Sequence, residues 1–174
     1  MPPTPDAEIA AATAEDIPAI RGLARKIWHA CYPGMISARQ IDHMLAWMYS
    51  EETLRREIEE GGIRYDLLRL AGLPVGYASY GPGEKERELK LHKLYVDPDH
   101  QRRGLGGLLL GHVEEFARRG GFLTIMLQVN RRNPYGLPLY RKHGFRIREE
   151  RRSDIGGGFV MDDYIMEKPL GQAP

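Results

Sequence analysis

Cysteine, long apolar runs and an excess of either charge are scarce or absent in this chain of 174 residues. Its single cysteine, Cys31, cannot form an intrachain disulfide, which argues against a disulfide-stabilised extracellular domain. No apolar run approaches the length of about 20 residues that a membrane-spanning helix requires. The 25 basic and 24 acidic residues give a formal net charge of +1. We therefore expect neither nucleic acid nor a membrane as a partner.

The first residues also lack the pattern of an export signal. The opening segment, MPPTPDAEIA, does not run from basic to apolar residues as a signal peptide does. Together with the lone cysteine, this predicts a reducing, cytoplasmic location. The proline-rich start, through Asp6, is expected to be a loose end or to lead into a first strand at the sheet edge.

The composition that remains is typical of a globular protein, and the length suits one domain over residues 1–174. Apolar residues at helical spacing predict helices in four segments and a short helical piece before His143-Gly144. The first helix follows a cap at Thr13, and the second follows a capping box at Ser37 and Gln40. The third covers residues 51–60, and the fourth begins at Leu105. Strands are predicted over 65–70, 75–80, 89–96, 122–129, 145–149 and 159–167. This order of elements indicates a mixed α/β sheet.

A glycine-rich loop, residues 101–107, lies between a predicted strand and a predicted helix. The first amides of a helix have no intrahelical acceptor and carry the positive end of the helix dipole. Glycines at 104, 106 and 107 allow positive φ and close approach of a ligand, and two arginines lie beside them. The loop is therefore either a diphosphate site or an ordinary strand-to-helix turn with solvated arginines.

Two other phosphate-binding motifs fail on individual residues. A Walker loop needs Gly-Lys-Ser/Thr, but Gly107-Leu108 follows Gly106. A dinucleotide fingerprint needs a third glycine where Leu109 stands, and the following strand lacks an acidic end.

Two segments, LYVDPDHQRRGLG and VNRRNPYGLPLYRKHGF, resemble motifs of the GNAT superfamily of N-acetyltransferases. The acyl-CoA signature of that family, Q/R-x-x-G-x-G/A, is met by Gln101-Arg102-Arg103-Gly104-Leu105-Gly106. The second segment is similar to V-N-x-x-N-x-x-A-x-x-L-Y-x-x-x-G-F, with Asn130, Asn133, Leu139, Tyr140, Gly144 and Phe145 in register. The resemblance covers most of the chain. It implies an α/β fold with a mixed, mostly antiparallel sheet whose central strands splay, flanked by helices.

The resemblance implies that acetyl-CoA is the co-substrate. Its pyrophosphate is expected on the amides of Arg102, Arg103, Gly104, Leu105, Gly106 and Gly107, next to Gln101. The pantetheine arm is expected along the backbone of Leu94, Tyr95 and Val96, with Asn130 and Asn133 of the second motif close by. Two departures stand out: Gly136 replaces the usual alanine, and Pro138 predicts a helix that starts late or kinks.

Acetyl transfer to an amine requires an acid and a base. Tyr140 is the expected general acid for the leaving thiolate, and a strand amide near Leu94 or Tyr95 is expected to meet the oxyanion. Related enzymes often carry a glutamate on the strand before the loop, where this chain has Lys90. By strict alternation Glu88 and His92 share a face, so we favour Glu88 as base through water, with His92 second. The alternative for Glu88 is a solvated strand start.

The acceptor is less constrained than the cofactor. Trp28, Tyr32 and Met35, with Met44, Trp47 and Met48, either wall an acceptor pocket or simply form core. Asp162-Asp163-Tyr164 either holds a cationic acceptor, such as a polyamine or a lysine, or is an exposed strand pair. The six histidines show no metal-ligand spacing, so no metal is expected. A homodimer is plausible, although no residue decides it.

The sequence thus predicts an acetyl-CoA-dependent N-acetyltransferase that acts on a primary amine of a small molecule or peptide by direct transfer. Cys31 has no activating neighbour in the sequence, so a covalent route is not expected. One alternative is an acyl-CoA-binding sensor or regulatory module with little activity. Another is an acyltransferase that acts on an alcohol or uses a longer acyl group.

Overall fold

The computed structural model describes residues 6–171, and within them seven strands and five α-helices form. The strands are β1 Ala7–Ala11, β2 Arg64–Leu70, β3 Leu73–Pro82, β4 Glu88–Val96, β5 Thr124–Asn130, β6 Arg146–Asp154 and β7 Val160–Pro169. The helices are α1 Ile17–Cys31, α2 Ala38–Met48, α3 Glu51–Glu59, α4 Leu105–Arg119 and α5 Gly136–Lys142. Short 3-10 segments, Ala14–Asp16 and Pro98–His100, precede α1 and the loop into α4.

The strands form a single sheet in the order β1-β2-β3-β4-β5-β7-β6. All neighbours are antiparallel except β4 and β5, which are parallel and connected through α4. The predicted fold class, a mixed and mostly antiparallel sheet flanked by helices, is confirmed.

Helices cover both faces of the sheet. On one face, α1, α2 and α3 bury a core that includes Ile20, Trp28 and Leu54 against Leu67 and Tyr77 of the sheet. On the other face, α4 and α5 pack on the opposite side chains of the strands, and this core includes Leu109, Val113, Tyr140, Leu91 and Ile125. Each buried aliphatic or aromatic side chain stabilises the fold by about 1.5–3 kcal/mol relative to exposure.

Side-chain caps fix the starts of the first two helices. Thr13 and Asp16 form a reciprocal capping box at the 3-10 turn that leads into α1. Ser37 caps α2 by accepting from the amide of Gln40 at 3.1 Å. The Gln40 side chain does not complete the predicted box, because its amide nitrogen donates to the carbonyl of Val160 on β7 at 2.9 Å. That bond joins α2 to the end of the sheet.

A bulge in β4 shapes the centre of the sheet. Ser79 pairs with Lys93 and Tyr80 pairs with Leu91, so His92 is the extra residue on β4. The parallel pairing with β5 runs from Glu88 to Leu91 and ends there. Beyond the bulge the two central strands separate, which confirms the predicted splay.

The strand boundaries differ from the prediction at both ends of the chain. A first strand at the sheet edge was one of two alternatives for the start of the chain, but its bounds were not predicted, because AEIAA offers little strand propensity; β1 forms as an edge strand by pairing with β2 over Asp66–Leu70. The closing hairpin is longer than predicted, with β6 reaching Asp154 and β7 reaching Pro169. The proline-rich start predicted to be loose lies, up to residue 5, outside the described residues.

Candidate active site

The separation of β4 and β5 opens a cleft of about 1040 Å³. Its walls come from the ends of both central strands, the glycine-rich loop, α5, the inner sides of α1, α2 and α3, and the β6–β7 hairpin. The cleft therefore connects the loop that was predicted to bind phosphate with the helices that were predicted to wall an acceptor. All but two of the predicted site residues line it: Arg103 and Glu88 do not.

The glycine-rich loop has the backbone geometry of an anion site. Arg102 and Gly104 both have positive φ, 63° and 78°, which turns the chain sharply into α4. The first intrahelical bond of α4 runs from the amide of Leu108 to the carbonyl of Gly104. The amides of Leu105, Gly106 and Gly107 precede that bond and so have no intrahelical acceptor. They lie at the positive end of a 15-residue helix that lines the cleft.

Glycine at 106 and 107 also lets α4 pack closely on α5. A Cβ at Gly106 would lie 3.3 Å from Leu139, and one at Gly107 would lie 3.2 Å from the ring of His143. These glycines therefore serve helix packing as well as access to the backbone, a role that the motif alone did not predict.

The side chain of Gln101 is used within the protein. Its amide nitrogen donates to the carbonyl of Val96 at 3.1 Å and lies 3.7 Å from Sγ of Cys31. Gln101 thus ties the loop to the end of β4. At this end of β4, one edge of the strand pairs with β3 as far as Val96, whereas pairing of the other edge with β5 ends at Leu91. The unpaired edge faces the cleft along Leu94, Tyr95 and Val96.

The two asparagines of the second motif shape the turn between β5 and α5. Asn130 accepts from the amide of Arg132, and Asn133 accepts from the amides of Tyr135 and Gly136, each at 2.9 Å. Asn133 therefore fixes the turn that leads into α5, which begins at Gly136.

Pro138 does not delay or break α5, contrary to the expectation from sequence. It is the third residue of the helix, where an amide would have no intrahelical acceptor in any case. Gly136 allows close packing at this turn, since a Cβ there would lie 3.2 Å from each of Asn133, Tyr140 and Val129.

Tyr140 lines the cleft from α5 and is 8% exposed. Its ring packs edge-on against Phe145, with centroids 5.7 Å apart. Burial, with a smaller contribution from Tyr32, raises the pKa of the Tyr140 hydroxyl well above its usual value. The hydroxyl is therefore protonated at neutral pH and able to donate its proton.

The two candidate bases lie in different surroundings. Glu88 is buried beside the start of β5 and accepts from Arg148 at 2.9 Å, so it is neither in the cleft nor solvated. His92 lines the cleft, and burial, with Lys90 and Lys93 nearby, lowers its pKa to about 4. The bulge at His92 interrupts the strict alternation from which a shared face with Glu88 was predicted.

The predicted acceptor wall contributes to both the core and the cleft. Trp28 and Tyr32 of α1 stack with centroids 4.4 Å apart, and both line the cleft. The hydroxyls of Tyr32 and Tyr95 lie 3.1 Å apart, within hydrogen-bond distance, and both residues line the cleft. Met35, Met44, Trp47 and Met48 also line it. All of them therefore line the cleft, and all but Trp47, which is 52% exposed, also belong to or pack against the core of that face; that the cleft takes an acceptor there stays a prediction.

The Asp162-Asp163 pair is divided between the inside and the surface. Asp163 lines the cleft and is 2% exposed, whereas Asp162 is exposed. Burial, and to a lesser degree the charge of Asp162, raises the pKa of Asp163 to about 6. The alternation of β7 places Met161 and Asp163 on the face that α1 and α2 cover.

Lys93 is a cleft residue that sequence reasoning missed. It is 5% exposed, and its ammonium donates to the hydroxyl of Tyr65 at 2.6 Å and lies 3.3 Å from Glu57. It also lies 5.0 and 5.1 Å from the ring centroids of Tyr49 and Tyr65, and burial lowers its pKa. A lysine within the apolar run LKLHKLYV was the available signal.

Cys31 lies at the end of α1 on the cleft wall. Burial raises the pKa of its thiol, against a smaller lowering by Gln101, so the thiol is not activated as a nucleophile. Within residues 6–171, no group of three or more histidine, cysteine or acidic side chains is arranged to hold a metal ion. No helix in that range is long and apolar enough to cross a membrane.

Comparison with known proteins gives consistent results. The chain matches the acetyltransferase (GNAT) family over residues 22–145, which include both sequence motifs. It is 28% identical over 165 residues to the spermidine N(1)-acetyltransferase of Thermoplasma acidophilum, covering 92% of this chain and 96% of that protein.

Two solved structures share the whole architecture. The PaiA N-acetyltransferase from T. acidophilum in complex with coenzyme A matches with a TM-score of 0.81 at 27% identity, covering 94% of this chain and 98% of that one. The ribosomal-protein-S18-alanine N-acetyltransferase from Escherichia coli matches with a TM-score of 0.73 at 25% identity, covering 97% and 96%. The likeness therefore extends over both faces of the sheet and the cleft between them.

Proposed function

The chain belongs to the GNAT family of acetyltransferases, and we propose that it moves the acetyl group of acetyl-CoA directly to a primary amine of a small molecule. One observation carries the proposal. The splay beyond Leu91 joins an anion-binding helix terminus, a protonated Tyr140 and a buried carboxylate, Asp163, in one cleft. Such a cleft can bind two substrates side by side, so no acetylated protein group is needed.

The residues present fit acetyl-CoA. The amides of Leu105, Gly106 and Gly107 would hold the pyrophosphate, with the guanidinium of Arg102 beside them. The free edge of β4, from Leu94 to Val96, would pair with the amides of the pantetheine arm. Arg103 does not line the cleft, so any contribution to binding comes from outside it. When bound, acetyl-CoA supplies the acetyl thioester.

The proposed role of Tyr140 is to protonate the departing sulfur. Its raised pKa keeps the hydroxyl protonated, so it can donate a hydrogen bond, and then its proton, to the sulfur as negative charge develops there. A backbone amide of β4 near Leu94 or Tyr95 would stabilise charge on the carbonyl oxygen.

The acceptor must also lose protons. A primary alkylamine with a pKa near 10.4 is neutral only to about 0.04% at pH 7, so a base increases the reactive fraction. Glu88 is paired with Arg148 outside the cleft, which disfavours it for this role. His92 lines the cleft, but a pKa of about 4 makes it a weak base.

The proposed acceptor is a polyamine-like alkylamine. Aromatic and methionine side chains of α1 and α2 suit a methylene chain, and a carboxylate suits an ammonium group. One of the relatives acts on spermidine, which supports this class. Another is named for the alanine of a ribosomal protein, so a peptide amino terminus is the second candidate.

Calorimetry and a thiol-release screen test the proposal. The protein is titrated with acetyl-CoA and with CoA lacking its 3′-phosphate, then assayed for free thiol with spermidine, lysine, an aminoglycoside and a peptide beginning with alanine. Binding followed by thiol release on spermidine is expected. Binding with no release on any acceptor would instead favour the sensor, and competition by longer acyl-CoAs tests the acyl preference. The cytoplasmic location and the homodimer stay predictions.

A further inference from the structure

We propose that Asp163 is the catalytic base and ammonium-binding residue of the cleft: its carboxylate receives the primary ammonium of the acceptor and removes a proton from it. This inference rests on the proposed amine acetylation and assigns the step for which the sequence favoured Glu88.

Three carboxylates line the cleft: Glu57, Asp154 and Asp163. Glu57 accepts a hydrogen bond from the hydroxyl of Tyr65 and lies 3.3 Å from the ammonium of Lys93. Asp154 accepts from the amide of Gly156 at 2.8 Å, which holds the β6–β7 turn. These two carboxylates are therefore occupied by groups of the protein itself.

Asp163 differs because its carboxylate has no such partner. Its Oδ2 atom is buried without a hydrogen bond, and no described cation forms an ion pair with it. Buried charges in proteins are otherwise almost always paired, because an unpaired charge is costly. An acceptor ammonium in the cleft would supply the missing charge and hydrogen-bond donors.

The position of Asp163 suits the reaction. It lies opposite Asn130 in the β5–β7 ladder, beyond the point at which β4 separates from β5. Tyr32, which directly follows α1, lies close enough to Asp163 for the carboxylate charge to affect its hydroxyl. Burial is the main cause of the rise in the pKa of the Tyr32 hydroxyl, and the charge of Asp163 adds to that rise. Tyr32 in turn affects the pKa of Tyr140. The proposed base and the proposed acid thus both lie near Tyr32.

The charged neighbours of Asp163 leave it free to titrate. Asp162 on the same strand pairs with Arg131 at 3.5 Å. Arg151, in register with Asp163 on β6, is bound by Glu84 and Glu149. Burial is the main cause of the rise in the pKa of Asp163 to about 6, so the carboxylate is largely ionised at pH 7 and basic enough to accept a proton.

The proposed transfer moves two protons from the acceptor nitrogen and one from Tyr140. One ammonium N–H bond breaks, its proton moves to a carboxylate oxygen of Asp163, and the electron pair stays on nitrogen and forms the bond to the acetyl carbon. As the carbon–sulfur bond breaks, the sulfur takes the proton of Tyr140. The nitrogen then loses a second proton, which restores Tyr140 through solvent, while Asp163 releases the first to solvent.

The test compares Asp163→Asn with Asp162→Asn, a neighbouring exposed carboxylate that does not line the cleft. Thiol release is measured with spermidine, lysine and an alanine peptide from pH 5 to 10, and spermidine binding to the CoA complex is measured by calorimetry. We expect Asp163→Asn to lower kcat/KM by about 100-fold or more at pH 7, and spermidine affinity by about tenfold or more. The Asp162 variant should stay within about twofold of wild type.

A base has a further signature in the pH profile. The wild type should lose kcat/KM below about pH 6, whereas Asp163→Asn should lack that limb and recover as the pH nears about 10, where the amine is neutral by itself. Unchanged acetyl-CoA affinity shows that the variant is folded. If both variants match an active wild type, the inference is overturned while the proposed function stands. If the wild type acetylates none of the amines, the proposed function fails and the inference with it.

Discussion

Two buried carboxylates, one at each end of β5, show how the same degree of burial serves different purposes. Glu88 lies beside the start of β5 and Asp163 beside its end, and each is 2% exposed. Arg148 lies 2.9 Å from Glu88, where β4 and β5 are still hydrogen-bonded. Asp163 lies where they have separated and has no ion-pair partner within residues 6–171. A paired buried charge holds the sheet together, whereas an unpaired one beside a cleft is available to a substrate.

The difference follows from the bulge at His92. Before it, the parallel ladder is closed and Glu88 is paired with Arg148 through Oε2, although its Oε1 atom is buried without a hydrogen bond. After it, strand edges and side chains face the cleft. Substitutions in the closed part should therefore change stability, and substitutions in the open part should change turnover.

The largest effect is expected at the closed end. Arg148→Ala would leave Glu88 buried without its cation and should lower the free energy of unfolding by about 3 kcal/mol. Urea denaturation measures it. Arg146→Ala, two residues away on β6 with a side chain 70% exposed, should cost less than about 1 kcal/mol. Equal losses in the two variants would show that the buried Arg148–Glu88 pair affects stability no more than an exposed arginine does.

At the open end, Tyr140→Phe should reduce kcat by about 100-fold, equivalent to about 2.7 kcal/mol. Its acetyl-CoA affinity and its urea midpoint should stay unchanged, because the ring still packs on Phe145. Steady-state thiol release, calorimetry and urea denaturation measure these three quantities. An unchanged kcat would show that Tyr140 does not donate the proton to the sulfur.

Asp163→Asn should make the protein more stable at pH 7 to 8, in contrast to the loss expected when the Glu88 pair is broken. Since the pKa of Asp163 is raised to about 6 in the folded state, its protonated form contributes stability below about pH 4 that is lost as the pH rises through 6. Asparagine avoids that loss, so the gain should be about 2–3 kcal/mol at pH 8 and vanish near pH 4. Urea midpoints across this range measure it. A destabilised variant at pH 8 would indicate a hidden partner for the carboxylate.

The smallest effect is expected at Gly136, where the family pattern has alanine. A Cβ there would lie 3.2 Å from Asn133, Tyr140 and Val129, so Gly136→Ala should cost about 1 kcal/mol and reduce turnover by a few-fold. Gly22→Ala, on α1 with open space around the Cβ position, provides the control and should not lose activity. A fully active Gly136→Ala variant would show that this turn adjusts without moving Tyr140.

Sequence patterns predicted the elements that are set by local spacing. The helical periodicity of α1 and α4, the capping by Thr13 and Ser37, and the loop from Gln101 to Gly107 are all readable from residues close together in the chain. The family motifs added the splayed sheet, which no periodicity predicts. The bounds of strand β1 were missed because its stability comes from pairing with β2, about 55 residues later.

The base could not be predicted because its surroundings depend on distant contacts. Strict alternation through β4 ignored the bulge at His92, and nothing near Glu88 in the sequence indicates Arg148 as its partner. The pair Asp162-Asp163 was identified as a possible acceptor site, but only the folded structure, in which Met161 on the same face of β7 packs against the core under α1, α2 and α3, shows that Asp163 is buried and Asp162 is exposed. Burial and pairing are tertiary properties, and they decide which carboxylate is available.

The most direct measurement is kcat/KM for Glu88→Gln and Asp163→Asn, side by side at pH 7, per folded molecule and with the amine that the wild type acetylates fastest. Our account predicts a loss of about 100-fold or more for Asp163→Asn and less than about threefold for Glu88→Gln. The reverse result, with turnover lost in Glu88→Gln and retained in Asp163→Asn, would contradict it.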